Sequence, residues 1–393
     1  MNNLNISKII ILLNILIVKS ISCVKLNNTL YNGRGINLIY EVKVYLPASI
    51  SSYLAIGCTD GTINIWDILN GKLKFVFDKK NEGHSQWINS LISTSNGYLA
   101  SSSFDGSIKF WDILNGKLKF SFNETNGGHS GSVNSLVSFE YGYLASGSFD
   151  KTIKIWDVIN KKLIISFDQS NGGHTGGVRI LELLQNDYLA SGCEDGSIKI
   201  WSIINERKIK FTFDKTNGGH SYTIILLESL DNGYMASASM SDSTVKIWDI
   251  INGKLMFSFD ESNGIDSSSS SIQSLKLLEN GYLACLTYYK QQQKSYSKLN
   301  IWDIKNGKLK YNLDNSNGNY ESLIESLETL DNGYMAAGST NGGIKIWDIT
   351  NGYLKIRFNQ STQYYVSFVR SILSLENGLL ASVGSDRIFI WEI

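Results

Sequence analysis

The sequence predicts an all-β chain assembled from a repeated four-strand unit, and three observations carry that reading. Trp-Asp or a near variant recurs at Trp66, Trp111, Trp156, Trp201, Trp248, Trp302, Trp347 and Trp391, at gaps of 45, 45, 45, 47, 54, 45 and 44 residues. A period held near that length dictates the architecture, because each unit must bury its apolar face against a neighbouring copy. Residues before each tryptophan alternate polar and apolar, as in Thr152-Ile153-Lys154-Ile155-Trp156, which is the period of a half-buried strand. Finally, Asn-Gly follows the tryptophans at Asn70-Gly71, Asn115-Gly116, Asn252-Gly253, Asn306-Gly307 and Asn351-Gly352. That pair favours a two-residue type I′ turn between antiparallel strands.

The unit ending at Trp156 shows the elements in order. Its first strand is expected over Ser132 to Ser138, with a turn at Tyr141-Gly142 and a second strand over Tyr143 to Ser148. A tight turn at Phe149-Asp150-Lys151 leads to a third strand, Thr152 to Asp157, and a two-residue turn to the fourth, Lys162 to Asp168. Strands at such spacing give a sandwich, a barrel or a propeller. A four-strand repeat of about 40–45 residues ending in Trp-Asp selects a β-propeller. Eight tryptophan-bearing units imply a single eight-bladed ring of four-stranded antiparallel blades; the alternative is seven blades with one degenerate unit.

Four units open on Gly-His, at Gly83-His84, Gly128-His129, Gly173-His174 and Gly219-His220. With the eight Trp-Asp positions these make the chain, from about Lys25 to Ile393, resemble the WD-repeat family. The resemblance implies that an amino-terminal strand completes the last blade. Lys25 to Gly33, which reads like the fourth strand Lys117 to Asn123, is the expected closing strand. It also implies a hydrogen-bonded tetrad within a blade. The sets are His84, Ser101, Asp105 and Trp111; His129, Ser146, Asp150 and Trp156; His174, Ser191, Asp195 and Trp201; and His220, Ser237, Asp242 and Trp248. Aspartate would hold the imidazole, and the serine hydroxyl would link it to an indole N–H that needs a partner once buried. Ser, His and Asp are also the ingredients of a catalytic triad, but four near-identical copies in separate blades argue for a structural role. A metal is not expected, because each blade holds one histidine and no two converge. No cofactor is expected either, since no phosphate-cradling glycine loop is present.

Lys plus Arg and Asp plus Glu each number 36, and no dense basic cluster occurs, which argues against a nucleic-acid partner. Cys58, Cys193 and Cys285 fall in different units at places that hold Ser or Thr elsewhere, too far apart for a disulfide. Residues 1–22 read as a signal peptide or a disordered leader, and 23–393 as the propeller. Lys8, the apolar run Ile9 to Val18, and Ser20 and Ser22 fit a secretory signal, whereas the free thiols fit the cytoplasm. The apolar run is too short to span a bilayer.

Scaffold residues repeat, so a binding site is sought where the repeat breaks. The turn in the sixth unit swells to Tyr288 through Tyr296, and the openings of the seventh and eighth carry Tyr320, Tyr364 and Tyr365. In the resembled family these loops emerge on one face. Tyr288, Tyr289, Tyr296, Tyr320, Tyr364 and Tyr365, with Trp87 and Tyr222 near His84 and His220, form the candidate interaction face. The function expected is a non-enzymatic, monomeric scaffold for a protein or peptide. A secreted carbohydrate-binding propeller is the alternative, and a propeller enzyme a weaker one.

Overall fold

A computed structural model describes residues 19–22, 41–45, 53–67, 72–204, 206–239, 242–260, 271–278, 281–291, 294–313, 323–330, 333–358, 369–375, 379–384 and 387–392. These residues form an all-β propeller of eight four-stranded antiparallel sheets, each named below by its tryptophan. In the Trp156 sheet the strands are Val133–Ser138, Tyr143–Ser148, Ile153–Asp157 and Lys162–Phe167, hydrogen-bonded in chain order. Each sheet's first strand touches the first strands of its two neighbours, and the series closes between Ser371–Leu375 and Glu41–Tyr45.

Two devices join successive sheets. A phenylalanine ending one fourth strand stacks on the next sheet's tryptophan, as Phe77 on Trp111 and Phe122 on Trp156 at 4.3 and 4.2 Å between ring centres. Phe167, Phe213 and Phe259 repeat this with Trp201, Trp248 and Trp302. All of these rings are buried, and such pairs add about 1 kcal/mol beyond the area they bury. Around the inner ring, side chains of one first strand bond the backbone of the next. Asn89 and Asn134 donate to the carbonyls of Val133 and Val178, while Glu182, Glu228 and Glu328 accept from Ser229, Leu277 and Ser374 N–H groups. Lys276 pairs with Glu328 at 3.3 Å.

Three expectations are corrected. The strand completing the Trp391 sheet is Lys19–Ser22, which pairs antiparallel with Arg387–Glu392. That edge has one slot, and four residues of the segment read as a leader occupy it; Lys25 to Gly33 lies outside the described residues. Among the described residues, the Asn-Gly turns at Asn115-Gly116, Asn252-Gly253, Asn306-Gly307 and Asn351-Gly352 are not type I′, because only glycine is left-handed, as at Gly116 with φ +67°. Asp112 instead closes a wider turn: its carbonyl accepts from Gly116 N–H, and its carboxylate from the N–H groups of Leu114 and Asn115. The sixth unit's insertion is no loop. It continues the ladder, giving ten-residue strands Tyr282–Gln291 and Lys294–Asp303 in unbroken register.

Candidate functional site

The loop before each histidine is built by local chemistry. In the Trp156 unit, Asn123 caps a single 3₁₀ turn, Glu124–Asn126, and Asn126 bonds back to the Asn123 N–H. Gly127 then takes φ +86°, and Gly128 N–H donates to Asn123 C=O at 2.6 Å. A side chain on Gly128 would lie 2.4 Å from that carbonyl, so only glycine fits. His129 is thereby delivered, buried, beneath the loop.

His129 Nδ1 lies 2.8 Å from Asp150 Oδ2, and Nε2 lies 2.7 Å from Ser146 Oγ, which accepts the Trp156 indole N–H at 2.8 Å. The same links join His84, Asp105, Ser101 and Trp111, and also His220, Asp242, Ser237 and Trp248. All four tetrad serines are 0 % exposed. Burial pushes every imidazole below its ordinary pKa, against the opposing pull of the carboxylates. Burial alone would raise the aspartates, but bonds from histidine and from neighbouring hydroxyls hold Asp105 and Asp150 well below the carboxylate range and Asp242 at about 2. The pairs are thus a neutral imidazole beside an ionised carboxylate. Nδ1–H donates to Asp, Ser O–H to Nε2, and the indole N–H to Ser.

The Trp201 sheet departs from this. His174 Nε2 meets Ser191 and the indole of Trp201 donates to Ser191, but Nδ1 faces the Ser197 hydroxyl at 3.0 Å instead of the carboxylate. Asp195 accepts from the Thr175 hydroxyl and the Ser197 N–H. Three other sheets lack the serine. Ile56, Cys285 and Ala337 stand at its ladder position in the Trp66, Trp302 and Trp347 sheets, and the indole N–H groups of Trp66 and Trp302 are buried without a hydrogen-bond partner. Ser382 retains the bond to Trp391, at 2.7 Å, in a unit with no histidine.

Sequence reasoning missed two members of each set. A hydroxyl two residues after the aspartate (Ser107, Thr152, Ser197 or Thr244) lies 3.0 to 3.1 Å from Nδ1. The lysine two residues before the tryptophan ties down the glycine loop, as Lys154 does by donating to Gly127 and Gly128 carbonyls. Both recur at fixed offsets, and that recurrence is the signal that could have found them.

On the histidine-side loops Trp87 is 47 % exposed and meets Phe104, 48 % exposed, at 6.3 Å between ring centres; Phe104 was not anticipated. Tyr222 is 54 % exposed in the corresponding loop of the Trp248 unit. The sixth-unit tyrosines do not form an open loop patch. Tyr288 is half-buried and its hydroxyl donates to the Ile324 carbonyl, while Tyr289 and Tyr296 stack across the hairpin at 5.5 Å. Tyr320, Tyr364 and Tyr365 lie outside the described residues. On the turns between third and fourth strands, Leu114, Ile159, Ile204 and Ile251 form a second series of exposed apolar side chains, one in each of the Trp111, Trp156, Trp201 and Trp248 sheets. Among the described residues no helix is long and apolar enough to cross a membrane.

No curated protein matches the chain in sequence. The family model described as WD domain, G-beta repeat matches residues 72–112, 117–157, 164–202 and 212–249, which are the four consecutive units ending at Trp111, Trp156, Trp201 and Trp248. Four consecutive units therefore match WD repeats, set in a series of like-built four-stranded sheets that form a β-propeller, as in the WD-repeat family.

Proposed function

We propose that this protein is a non-enzymatic interaction scaffold whose histidine-side face binds a protein or peptide. Each of the eight sheets is read as one blade of the ring. The observation that carries the reading is the Trp87–Phe104 pair: two large rings, each about half exposed, on loops held from below by the His84 network. Exposed tryptophan on a rigid support is the residue type most often found to dominate binding energy. Tyr222 extends the same face.

The tetrads are read as supports. Nucleophilic chemistry needs a hydroxyl that a substrate can reach, and Ser101, Ser146, Ser191 and Ser237 are fully buried and already engaged by both imidazole and indole. Residues 1–22 are proposed as a secretory leader, whose cleavage would also remove the Lys19–Ser22 strand from the Trp391 sheet; amino-terminal sequencing of the natural protein checks this, with a start at Cys23 supporting it and a start at Met1 contradicting it. The binding face is tested by affinity capture with a Trp87→Ala, Phe104→Ala double variant beside a Leu114→Ala, Ile159→Ala, Ile251→Ala variant of the opposite turns. Loss of the captured partner with the first variant alone supports the histidine-side face; loss with the second alone moves the site to the other side.

A further inference from the structure

We propose that His174, Cys193 and Asp195 form a binding site for a divalent cation of Zn²⁺ type, held at the edge of the Trp201 sheet. The ligand atoms of these three side chains all lie within 4.8 Å of one another. A tetrahedral zinc site with one sulfur and one nitrogen ligand places its donors roughly 3.5 Å apart, so the three need to draw in by about 1 Å. Imidazole, thiolate and carboxylate together suit a borderline-soft ion rather than Mg²⁺ or Ca²⁺.

Two departures from the repeat make this sheet different. The position of Cys193 holds Ser103, Ser148 and Ser239 in the other three histidine-bearing sheets, so only here is a soft ligand present. Moreover, His84, His129 and His220 each have Nδ1 bonded to their aspartate, which fixes the proton on that nitrogen. His174 has no such bond. Its Nε2, 2.7 Å from Ser191 Oγ, can carry the proton and donate it to that oxygen, leaving Nδ1 as an acceptor that the Ser197 hydroxyl meets at 3.0 Å and that a metal takes once that hydroxyl turns away. An imidazole N–H fixed by a second group in this way is the usual companion of a histidine ligand.

The site has an entrance. Asp195 is exposed, whereas His174 and Cys193 are buried, so an ion arrives through the carboxylate and solvent completes its shell. Cys193 is a free, buried thiol. Binding forms a metal–sulfur bond in place of its S–H bond and releases that proton to water.

The test is titration of the full chain, freed of metal by a chelator, with Co²⁺ as a spectroscopic stand-in for zinc. The expected result is a saturable thiolate-to-cobalt absorption band, bleached by Zn²⁺, together with a Zn²⁺-dependent rise in melting temperature. Cys193→Ser installs the residue that neighbouring sheets carry, and should fold normally yet lose the band and weaken Zn²⁺ binding at least about tenfold. Cys58→Ser and Cys285→Ser should keep the band. Absence of a band in the wild type, or its survival in Cys193→Ser, overturns the proposal.

Discussion

Cys285 holds the place beside Trp302 from which Ser146, in its own sheet, accepts the indole N–H of Trp156. The Trp302 indole N–H consequently has no partner although the ring is fully buried. An unmet buried donor costs about 1–3 kcal/mol, so Cys285→Ser should stabilise the protein by about 1 kcal/mol. Equilibrium urea unfolding measures this, and an unchanged or lowered midpoint would show that the hydroxyl does not reach the indole.

The reverse change should be expensive. Ser146→Ala removes the acceptor of Trp156 and the partner of His129 Nε2 together, so a loss of about 2–4 kcal/mol is expected in the same assay. Ser138→Ala, in the same sheet but outside the network, is the control and should change stability by less than about 1 kcal/mol.

Acid should weaken the protein in two stages. Each histidine is protonated less readily folded than unfolded, so the unfolded chain takes up more protons as pH falls below about 6.5. For His174, held at about 4, this removes roughly 2 kcal/mol between pH 7 and pH 5. The aspartates, shifted down, add a further loss only as pH falls from their unfolded value of about 4 toward 2. Urea midpoints at pH 7 and pH 5 check the first stage, and equal midpoints would contradict neutral buried imidazoles.

Gly128→Ala should destabilise by at least about 3 kcal/mol, because its new carbon meets backbone, which cannot yield as a side-chain tip can. His129 should lose its place with the loop, visible as faster amide exchange in the residues around it.

A chain beginning at Cys23 lacks the Lys19–Ser22 strand and leaves the Arg387–Glu392 edge open. It should be less stable than the chain retaining residues 1–22, by on the order of 2 kcal/mol for the lost ladder bonds. Equal melting temperatures for the two chains would mean that the strand adds nothing.

Much of this architecture was readable because repetition multiplies weak signals. One Ile-Lys-Ile-Trp stretch is an ambiguous strand, but the same offset of histidine, serine, aspartate and tryptophan in three units, one residue longer in a fourth, names a network that closes fully in three of them. What failed was local and unrepeated. Tyr288 through Tyr296 looked like a loop because its Lys, Gln and Ser are polar, yet the strand-compatible tyrosines and an unbroken register extend the hairpin. Phe104 escaped notice because its counterparts Phe149 and Glu194 differ in environment: Arg179 lies over Phe149 and Glu194 faces Arg179. The Asp195 carboxylate sits at the expected repeat position, but Thr175 draws it away from His174, a rotamer-level choice that spacing cannot convey.

The central claim is that binding occurs on the histidine-side loops while the tetrads only hold them in place. Amide hydrogen exchange of the free protein and of its captured complex tests this most directly. The claim predicts new protection around residues 84–88 and 102–106, with the turns at 113–116 and 158–161 unchanged. Protection confined to those opposite turns would contradict it.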